Sequence, residues 1–408
     1  MIEMSEVVNI PQLRFPEFNG EWEEKALGVV ATITTGSTPS TSNNEYYDGD
    51  VAFVSPADIQ GNRIVRSTKT TITELGLSVV REIKKRSTLF VCIGSTIGKV
   101  SQAGVNCATN QQINALTAKN SFDNDFIYSL LEFKAPRIKL LAGVQAVPQI
   151  NKSEFSRFKF TFPLLPEQQK IASFLAAVDE KIEQLIKKQE LLGSWKKGLM
   201  QQIFSQAIRF KADDGGDYPD WEELKLGEVA RFRRGSFPQP YGNPEWYDDE
   251  DGKPFVQVYD VAGNMRLKST TKRKISVLAQ SSSVFVPKGN VVLTIQGSIG
   301  RIALTQYDAY VDRTLLIFTG YIKEVNKQFF IYVIYLLFEI EKIKAPGGTI
   351  KTITKEALTS FKLDLPCFDE QTKIANFLSS IDNKIEQVGK QLDESKQFKK
   401  ALLQQMFV

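Results

Sequence analysis

Two long stretches of the chain carry apolar side chains at alternating steps of four and three residues. One begins at Ile171 and the other at Ile374, 203 residues later, and most of the positions between the apolar ones are charged or carry amides. Such a repeat, sustained over more than four heptads, is typical of helices that pack together as a coiled coil. We therefore predict two helices of about 38 residues each, paired antiparallel. The predicted helix seam consists of Ile171, Leu175, Val178, Ile182, Leu185, Leu192, Leu199, Ile203, Ile374, Leu378, Ile381, Ile385, Val388, Leu392, Leu402 and Met406.

A lysine interrupts each seam at the same step, Lys196 in the first helix and Lys399 in the second. A polar residue inside a seam can fix the register of two helices, whereas a long lysine side chain can also extend its ammonium to the edge of the seam and into water. The pattern favours the second explanation without excluding the first. Trp195 and Phe398, one residue before each lysine, widen the apolar face and indicate a surface for a partner's helices.

Shorter stretches rich in Val, Ile, Thr and Phe, and punctuated by glycine, predict β-strands before each long helix. These stretches also occur twice, since "FVSPADIQGN" from Phe53 resembles "FVQVYDVAGN" from Phe255, and "STIGKV" resembles "GSIGRI". In each copy an apolar helix and one further strand follow, and then the long helix. A period near 200 residues is too long for a solenoid and indicates a duplicated domain.

The predicted fold class is α+β, with two homologous mixed α/β domains separated by two long antiparallel coiled-coil helices and an internal pseudo-two-fold repeat. Each globular domain would hold about 150 residues, a usual size for one hydrophobic core. The predicted boundaries are 1–162 for the first domain, 163–212 for the first helical region, 213–365 for the second domain and 366–408 for the second helical region.

Composition narrows the chemistry that the chain can perform. Its 408 residues include no histidine, so a histidine triad and a histidine-ligated metal site are excluded. Cys92, Cys107 and Cys367 fit neither a disulfide framework nor a zinc site and are predicted to be reduced core residues. The N-terminus lacks the pattern of a secretory signal, and the longest apolar run, residues 329–338, is too short to span a bilayer, so a cytoplasmic location is expected.

Two short motifs approach catalytic signatures without matching them. "GSTIGK" from Gly94 differs from a phosphate-binding loop in two ways: it has one residue too few between its glycines, and Val100 stands where the loop needs a hydroxyl. We therefore prefer a glycine turn between two strands. "PDWEELK" from Pro219 has an acid-x-lysine triplet after Pro-Asp, as in some metal-dependent nucleases, but the first half has Pro16-Glu17 instead. The chain is therefore predicted to be non-catalytic and to bind no cofactor and no metal itself.

Nucleic-acid binding would depend on local clusters of basic residues, because a net charge of +4 and a pI of about 8.7 are modest. The first half has "NRIVRSTKT" from Asn62 and "REIKKR" from Arg81, and the second half has "RFRRG" from Arg231 and "RLKSTTKRK" from Arg266. Basic groups mixed with Ser, Thr, Gln and Tyr can supply both phosphate contacts and hydrogen bonds to base edges. A solvated basic surface explains any single cluster equally well.

The combination of these features resembles the specificity subunit of type I restriction-modification systems. The likeness is carried by "LRFPEFNGEWEEKALG" from Leu13, by "PLLPEQQKIASFLAAVDEKIEQL" from Pro163 and by its echo "PCFDEQTKIANFLSSIDNKIEQV" from Pro366. It covers essentially the whole chain. The resemblance implies that 1–162 and 213–365 are target recognition domains, each reading one half of a bipartite DNA target through the major groove, and that the helices set the gap between the halves.

The resemblance also implies partners for the chain. The helical regions would dock two methylation subunits, which bind S-adenosylmethionine and methylate adenine in DNA, and a restriction (motor-nuclease) subunit that uses ATP and Mg can join them. The chain itself would be non-catalytic. A coiled-coil scaffold with two protein-binding domains and no role on DNA is the alternative that the sequence leaves open.

The positions of loops and basic clusters in the repeat give candidates for DNA contact. The candidates come from the loops that begin at Gly36 and Gly235, which we call the glycine-started loops, and from the turns within "STIGKV" and "GSIGRI". They also come from the basic clusters and from residues just before the last predicted strand of each copy. The candidate DNA-binding residues are Gly36, Ser37, Thr38, Arg63, Arg66, Lys69, Ser95, Thr96, Lys99, Gln145, Gln149, Arg233, Arg234, Ser236, Gln239, Tyr241, Arg266, Lys268, Lys272, Arg273, Lys274, Ser298, Arg301, Thr349 and Lys351.

Overall fold

Strand pairing repeats along the chain, and so does the placement of helices beside the strands. The structure, a computed structural model, describes residues 10–142, 148–344 and 353–408. The chain divides into two units: unit 1 comprises Met1–Glu190 with Gln387–Val408, and unit 2 comprises Leu191–Glu386. Each unit therefore holds one globular part together with a segment of each long helix.

Unit 1 contains three sheets. Its strands are β1 (Glu23–Ala26), β2 (Ala31–Thr35), β3 (Tyr47–Val54), β4 (Ile64–Val65), β5 (Thr70–Ile72), β6 (Thr88–Val91), β7 (Val100–Ala103), β8 (Cys107–Thr109), β9 (Ile113–Ala118) and β10 (Lys159–Phe162). Its helices are α1 (Leu27–Val30), α2 (Glu74–Ser78), α3 (Asn124–Leu141), α4 (Lys152–Arg157) and the first part of α5 (Leu165–Phe204). The sheet orders are β2-β9-β6-β7-β4, β5-β3-β8 and β1-β10.

Unit 2 repeats this arrangement. Its strands are β11 (Glu222–Lys225), β12 (Ala230–Arg234), β13 (Lys253–Val256), β14 (Arg273–Ile275), β15 (Val284–Val286), β16 (Val291–Thr294), β17 (Ile302–Leu304), β18 (Ala309–Val311), β19 (Leu315–Tyr321) and β20 (Lys362–Leu365). Its helices are α6 (Leu226–Val229), α7 (Val277–Gln280), α8 (Lys327–Lys344), α9 (Lys355–Thr359) and the first part of α10 (Phe368–Met406). The sheet orders β12-β19-β16-β17, β14-β13-β18-β15 and β11-β20 match those of unit 1 strand for strand, apart from β4 and β15 at the edges.

One hydrophobic core in each unit joins a sheet, the apolar helix and both long helices. In unit 1, Phe90 of β6 and Leu130 of α3 belong to the same cluster as Leu175 of α5 and Met406 of α10. The core of unit 2 is built in the same way from β16, α8, α10 and the end of α5. Each globular part therefore packs continuously against its segments of the long helices.

The long helices α5 and α10 have 40 and 39 residues, which confirms the predicted length of about 38. Within unit 1 they run antiparallel, since Lys399 contacts Asp179 while Gly389 lies against Gln189. In the described parts of the chain, no helix has both the length and the hydropathy that a membrane crossing requires. The predicted α+β fold with an internal repeat is confirmed.

The cysteines are free, and two of them lie in the core. Cys92 and Cys107 are buried, whereas Cys367 is partly exposed. Burial raises the pKa of both buried thiols to about 12. These two thiols therefore stay protonated and unreactive near neutral pH.

Candidate nucleic-acid interface and helix seam

The two glycine-started loops need glycine for close packing. A Cβ atom at Gly36 would lie 2.2 Å from the carbonyl oxygen of Asn110, and one at Gly235 would lie 2.3 Å from that of Asp312. Any larger residue would push the loop away from the end of β8 or β18. The glycines thus shape the loops, and the neighbouring Ser37, Thr38 and Ser236 are at least partly exposed.

The "STIGKV" and "GSIGRI" segments are tight turns between antiparallel strands. They join β6 to β7 and β16 to β17, and Gly94, Gly98, Gly297 and Gly300 all have positive φ. The preferred interpretation of a glycine turn between two strands is confirmed.

Each of these turns carries one basic side chain that reaches a neighbouring loop. Lys99 donates to the carbonyl oxygen of Pro56 at 3.2 Å, and Arg301 to that of Val261 at 3.3 Å. Ser95 and Ser298 are exposed, and Thr96 is half-buried.

Asp58 and Asp260 hold these neighbouring loops in the same shape. Asp58 accepts hydrogen bonds from the backbone N–H groups of Ser55 at 2.8 Å and Lys69 at 2.9 Å. Asp260 accepts the equivalent bonds from Gln257 at 2.8 Å and Lys272 at 2.9 Å. Both carboxylates are therefore turn caps.

Arg63 requires a correction. It was expected to contact DNA because it begins a basic cluster, but only 7% of its surface is exposed. Its guanidinium lies 3.1 Å from Asp179 of α5 and 3.1 Å from Asp125 of α3. Since a DNA phosphate cannot displace the buried Asp179 and the half-buried Asp125 without leaving them unpaired, Arg63 fastens its loop to the helices instead.

Other members of the basic clusters also have acidic neighbours. Arg66 lies 3.6 Å from Glu183 on α5, and Arg266 lies 2.8 Å from Glu386 on α10. Arg273 lies 3.0 Å from Asp249, and its Cζ atom is 3.8 Å from the centre of the Tyr247 ring.

The remaining candidates are mostly exposed. Lys274 donates a hydrogen bond to the carbonyl oxygen of Glu250 at 2.5 Å. Candidates that are exposed and form no ion pair with any described residue are Lys69, Arg233, Arg234, Lys268 and Lys272. Gln149 and Gln239 are exposed as well, and Tyr241 is half-buried. Gln145, Thr349 and Lys351 lie outside the described residues.

The helix seam residues lie on the inner side of α5 and α10. Val178, Leu192, Leu199 and Ile385 are half-buried, and the other members of the predicted seam are buried. Trp195 and Phe398 remain 50% and 54% exposed. An apolar face thus continues beyond the seam on both helices.

The two seam lysines form ion pairs instead of extending into water. Lys196 in unit 2 lies 2.6 Å from Asp382, and its ammonium is 4.9 Å from the centre of the Tyr332 ring. Lys399 in unit 1, only 8% exposed, lies 2.5 Å from Asp179. Asp179 and Asp382 are themselves 203 residues apart. The favoured explanation of the lysines, extension to the edge, is therefore wrong, and the register explanation fits.

One buried acid anchors the start of each long helix, Glu167 in α5 and Glu370 in α10. The sequence pattern did not identify the arginine that binds each of these acids. Glu167 is bound by Arg14 at 2.7 Å and by the indole N–H of Trp22. Glu370 is bound in the same way by Arg209 at 2.8 Å and by the indole of Trp221. The tryptophans and the glutamates occupy matched places in the repeat, so the repeat could have indicated a contact between them. The two arginines are not at matched spacing, so the repeat could not indicate their role.

Each unit also has a groove beside a seam lysine. In unit 1 a groove of about 400 Å³ lies between the loop at Asn62, α3 and α10. In unit 2 a groove of about 640 Å³ lies between the loop at Asn264, α8 and α5. The grooves occupy matched places in the repeat. Among the described residues, no group of three or more Cys, Asp or Glu side chains is placed to hold a metal ion.

Comparison with known proteins supports both halves of this repeat. A family model described as the type I restriction modification DNA specificity domain matches residues 19–192 and 218–395. The MjaVIII specificity subunit of a type I restriction enzyme from Methanocaldococcus jannaschii is 24% identical over 407 residues, covering 96% of this chain and 92% of that protein. The HindI specificity subunit from Haemophilus influenzae is 32% identical over 149 residues, covering 35% of this chain and 32% of that protein.

Solved structures share the fold. The S subunit of a type I restriction-modification system from M. genitalium has a TM-score of 0.65 at 18% identity and covers 98% of this chain and 99% of its own. A chain from a study of complex assembly in a type I restriction-modification system has a TM-score of 0.56 at 18% identity, covering 94% of this chain and 96% of its own. Because the family model matches the globular part and long helix of each half, the chain belongs to the type I restriction-modification DNA specificity family and is a specificity subunit with two target recognition domains.

Proposed function

We propose that each target recognition domain reads one half of a bipartite DNA target, with domain 1 at 1–162 and domain 2 at 213–365. The helical regions 163–212 and 366–408 would be the spacer that sets the gap between the half-sites. The observation that carries this proposal is that one framework of sheets, turns and caps occurs twice in the chain, while the exposed side chains on matched loops differ. Two copies of one framework with different exposed residues suit two different half-sites.

Exposed cations that form no ion pair with a described residue support the DNA contact. Lys69 in domain 1 and Arg233, Arg234, Lys268 and Lys272 in domain 2 have no ion pair with a described residue. Such side chains are available to phosphates, which supply most of the affinity of a DNA-binding protein without selecting a sequence. DNA binding by the assembled complex should therefore weaken steeply with salt, which a scaffold that contacts only proteins would not show.

The partners of the chain would dock on its helices. Two matched grooves and two matched exposed aromatics, Trp195 and Phe398, fit two copies of one partner. We propose that these copies are methylation subunits, that restriction subunits can join them, and that the assembly works in the cytoplasm. The non-catalytic chain would then select sites for an adenine-specific DNA methyltransferase and ATP-dependent endonuclease, with S-adenosylmethionine, ATP and Mg on the partner subunits.

An exchange of domains tests this function. Residues 1–162 are replaced by the corresponding domain of a related specificity subunit, and the methylated sites of the host genome are sequenced. Only one half of the bipartite site should change. The reciprocal exchange of 213–365 is the matched control and should change only the other half. Methylation that continues at the original sequence, or that changes in both halves at once, would contradict the proposal.

A further inference from the structure

One short turn has the same backbone in both domains but different exposed chemistry. After β8 the N–H of Ile113 donates to the carbonyl of Asn110 at 3.2 Å, and after β18 the N–H of Leu315 donates to that of Asp312 at 3.0 Å. The glycine-started loop packs on this turn in each case, with Gly36 N–H bonded to Ile113 and Gly235 N–H bonded to Leu315, both at 3.0 Å. The backbone of the turn is therefore fixed in the same way twice.

The exposed residue of this turn is Gln111 in domain 1 and Arg313 in domain 2. In domain 1 the oxygen of the Gln111 amide accepts a hydrogen bond from the Thr38 hydroxyl at 2.8 Å. The amide N–H₂ group of Gln111 has no hydrogen bond to a described residue. In domain 2, Arg313 forms no ion pair with any residue that the structure describes.

A hydrogen-bonded platform supports Arg313. Its guanidinium carbon lies 5.6 Å from the centre of the Tyr241 ring, which in turn packs on Phe237 with 5.0 Å between ring centres. The Gln257 side chain, only 8% exposed, donates to the Tyr241 hydroxyl and accepts from the Tyr259 hydroxyl. Burial raises the pKa of Tyr259 to about 12, so this hydroxyl keeps its proton near neutral pH. The guanidinium thus lies within cation–π range of a ring that is itself held in place, and no ion pair with a described residue occupies its N–H donors.

We infer that Arg313 and Gln111 are base-reading residues at matched places, Arg313 toward a guanine in one half-site and Gln111 toward an adenine in the other. Both side chains can donate to a phosphate oxygen, but a contact to phosphate alone gives no reason for the two domains to differ at this place, because phosphates are the same in both half-sites. Arginine and glutamine share a different property, since each can form two hydrogen bonds to one base edge, arginine with guanine and glutamine with adenine. Gln257 is then a positioning residue that acts through Tyr241. The inference rests on the proposed function, because it presupposes that each domain reads a half-site.

The test uses the specificity subunit assembled with its methylation subunits. The complex selects bound duplexes from a DNA library in which both half-sites are randomised, and the selected sequences are compared for the wild type, Arg313→Ala, Arg313→Lys and Gln111→Ala. Arg313→Ala should lose about 10- to 100-fold of the preference for guanine at one position of one half-site. Arg313→Lys keeps the charge without the planar fork, so it should retain most affinity and still lose the preference. Gln111→Ala should relax one adenine position in the other half-site.

Arg234→Ala is the matched control, because Arg234 is also exposed and unpaired among the described residues. It should weaken binding to all sequences alike and leave the selected sequence unchanged. Gln257→Leu should lower the same guanine preference as Arg313→Ala, which a change in general stability would not do at a single position.

The inference is overturned if Arg313→Lys keeps the guanine preference, if Arg313→Ala behaves like Arg234→Ala, or if no guanine is selected by the wild type. In each of these cases a domain exchange that still alters one half-site would leave the proposed function standing. An exchange that alters neither half-site would overturn the proposed function itself.

Discussion

The two seam lysines occupy the same place in the repeat but have different neighbours. In unit 1, Lys399 lies 2.5 Å from Asp179 and 2.7 Å from Glu132 of α3, and Asp179 also binds Arg63. In unit 2, Lys196 lies 2.6 Å from Asp382, whose other oxygen accepts the hydroxyl of Tyr332 on α8 at 2.6 Å. The lysine and the aspartate are kept in both copies, and so is a tyrosine of the apolar helix beside the lysine, Tyr128 in unit 1 and Tyr332 in unit 2. The charged contacts of Arg63 and Glu132 occur in unit 1 and are not matched in the cluster of unit 2.

This difference indicates that the cluster around each seam lysine has two roles, fixing the register of the long helices and attaching the recognition domain to them. The Lys–Asp ion pair between the helices fixes their register, because a buried cation tolerates only a seam position that offers a carboxylate. The remaining members of the cluster attach the recognition domain to the helices. In unit 1 they are the charged side chains of Glu132 and Arg63, and in unit 2 the hydroxyl of Tyr332. The two units therefore differ in the charged part of this attachment, while both keep the Lys–Asp pair between the long helices.

The largest expected effect comes from removing the seam carboxylates. Asp179→Ala leaves Lys399 and Arg63 buried with one fewer anion, and breaking such a buried pair costs about 3–5 kcal/mol. Asp382→Ala removes a carboxylate that is 27% exposed, so water can replace part of the interaction, and we expect about 1–3 kcal/mol. Urea unfolding of the two variants measures the difference.

Glu180→Ala is the control for these two variants, since Glu180 neighbours Asp179 on α5 but is exposed. It should change the free energy of unfolding by less than about 0.5 kcal/mol. Equal losses for Asp179→Ala and Asp382→Ala would show that the charged network of unit 1 adds nothing to the ion pair that both units share.

The sequence allowed the helices and the repeat to be predicted, but not these contacts. Helix length, seam and duplicated domains follow from local periodicity, which a single stretch of sequence displays. Arg63 was misjudged because a basic cluster has the same spacing whether it faces DNA or a carboxylate, and Asp179 is 116 residues away along the chain. Arg14 and Arg209 were missed for the same reason, since they bind Glu167 and Glu370 across 153 and 161 residues. Long-range ion pairs leave no local pattern.

A smaller and pH-dependent effect is expected when each seam lysine is replaced by methionine. Partial burial raises the pKa of Glu132 even with Lys399 beside it, so Lys399→Met leaves a half-buried acid that favours its protonated form still more. An acid whose pKa is raised in the folded state stabilises that state at low pH, and this contribution is lost as pH rises through the folded pKa. We therefore expect a cost of about 1–3 kcal/mol near pH 7 that shrinks toward about pH 5.

Lys196→Met provides the comparison for this pH dependence. It leaves Asp382 partly exposed and still bound to Tyr332, and no second acid lies at this place among the hydrogen bonds and ion pairs of Lys196. Its cost should be smaller and nearly constant over the same pH range, as urea unfolding at several pH values would show. A cost for Lys399→Met that grows as pH falls would contradict the proposed origin of the effect in Glu132.

The smallest effect on stability, and a distinct effect on assembly, is expected for the exposed aromatics. Trp195 and Phe398 are half exposed, so Trp195→Ala and Phe398→Ala should change the free energy of unfolding by less than about 1 kcal/mol. Because one aromatic lies in each unit, each variant should weaken only one of the two docking sites that we propose for methylation subunits, by about 10-fold or more. Titration with methylation subunits should then show one tight and one weak site for each single variant and two weak sites for the double variant. Lys390→Ala, at an exposed position of α10, should leave both sites tight. If either single variant weakened both sites equally, the two units would not be equivalent docking platforms, and the repeat in the helices would serve register alone.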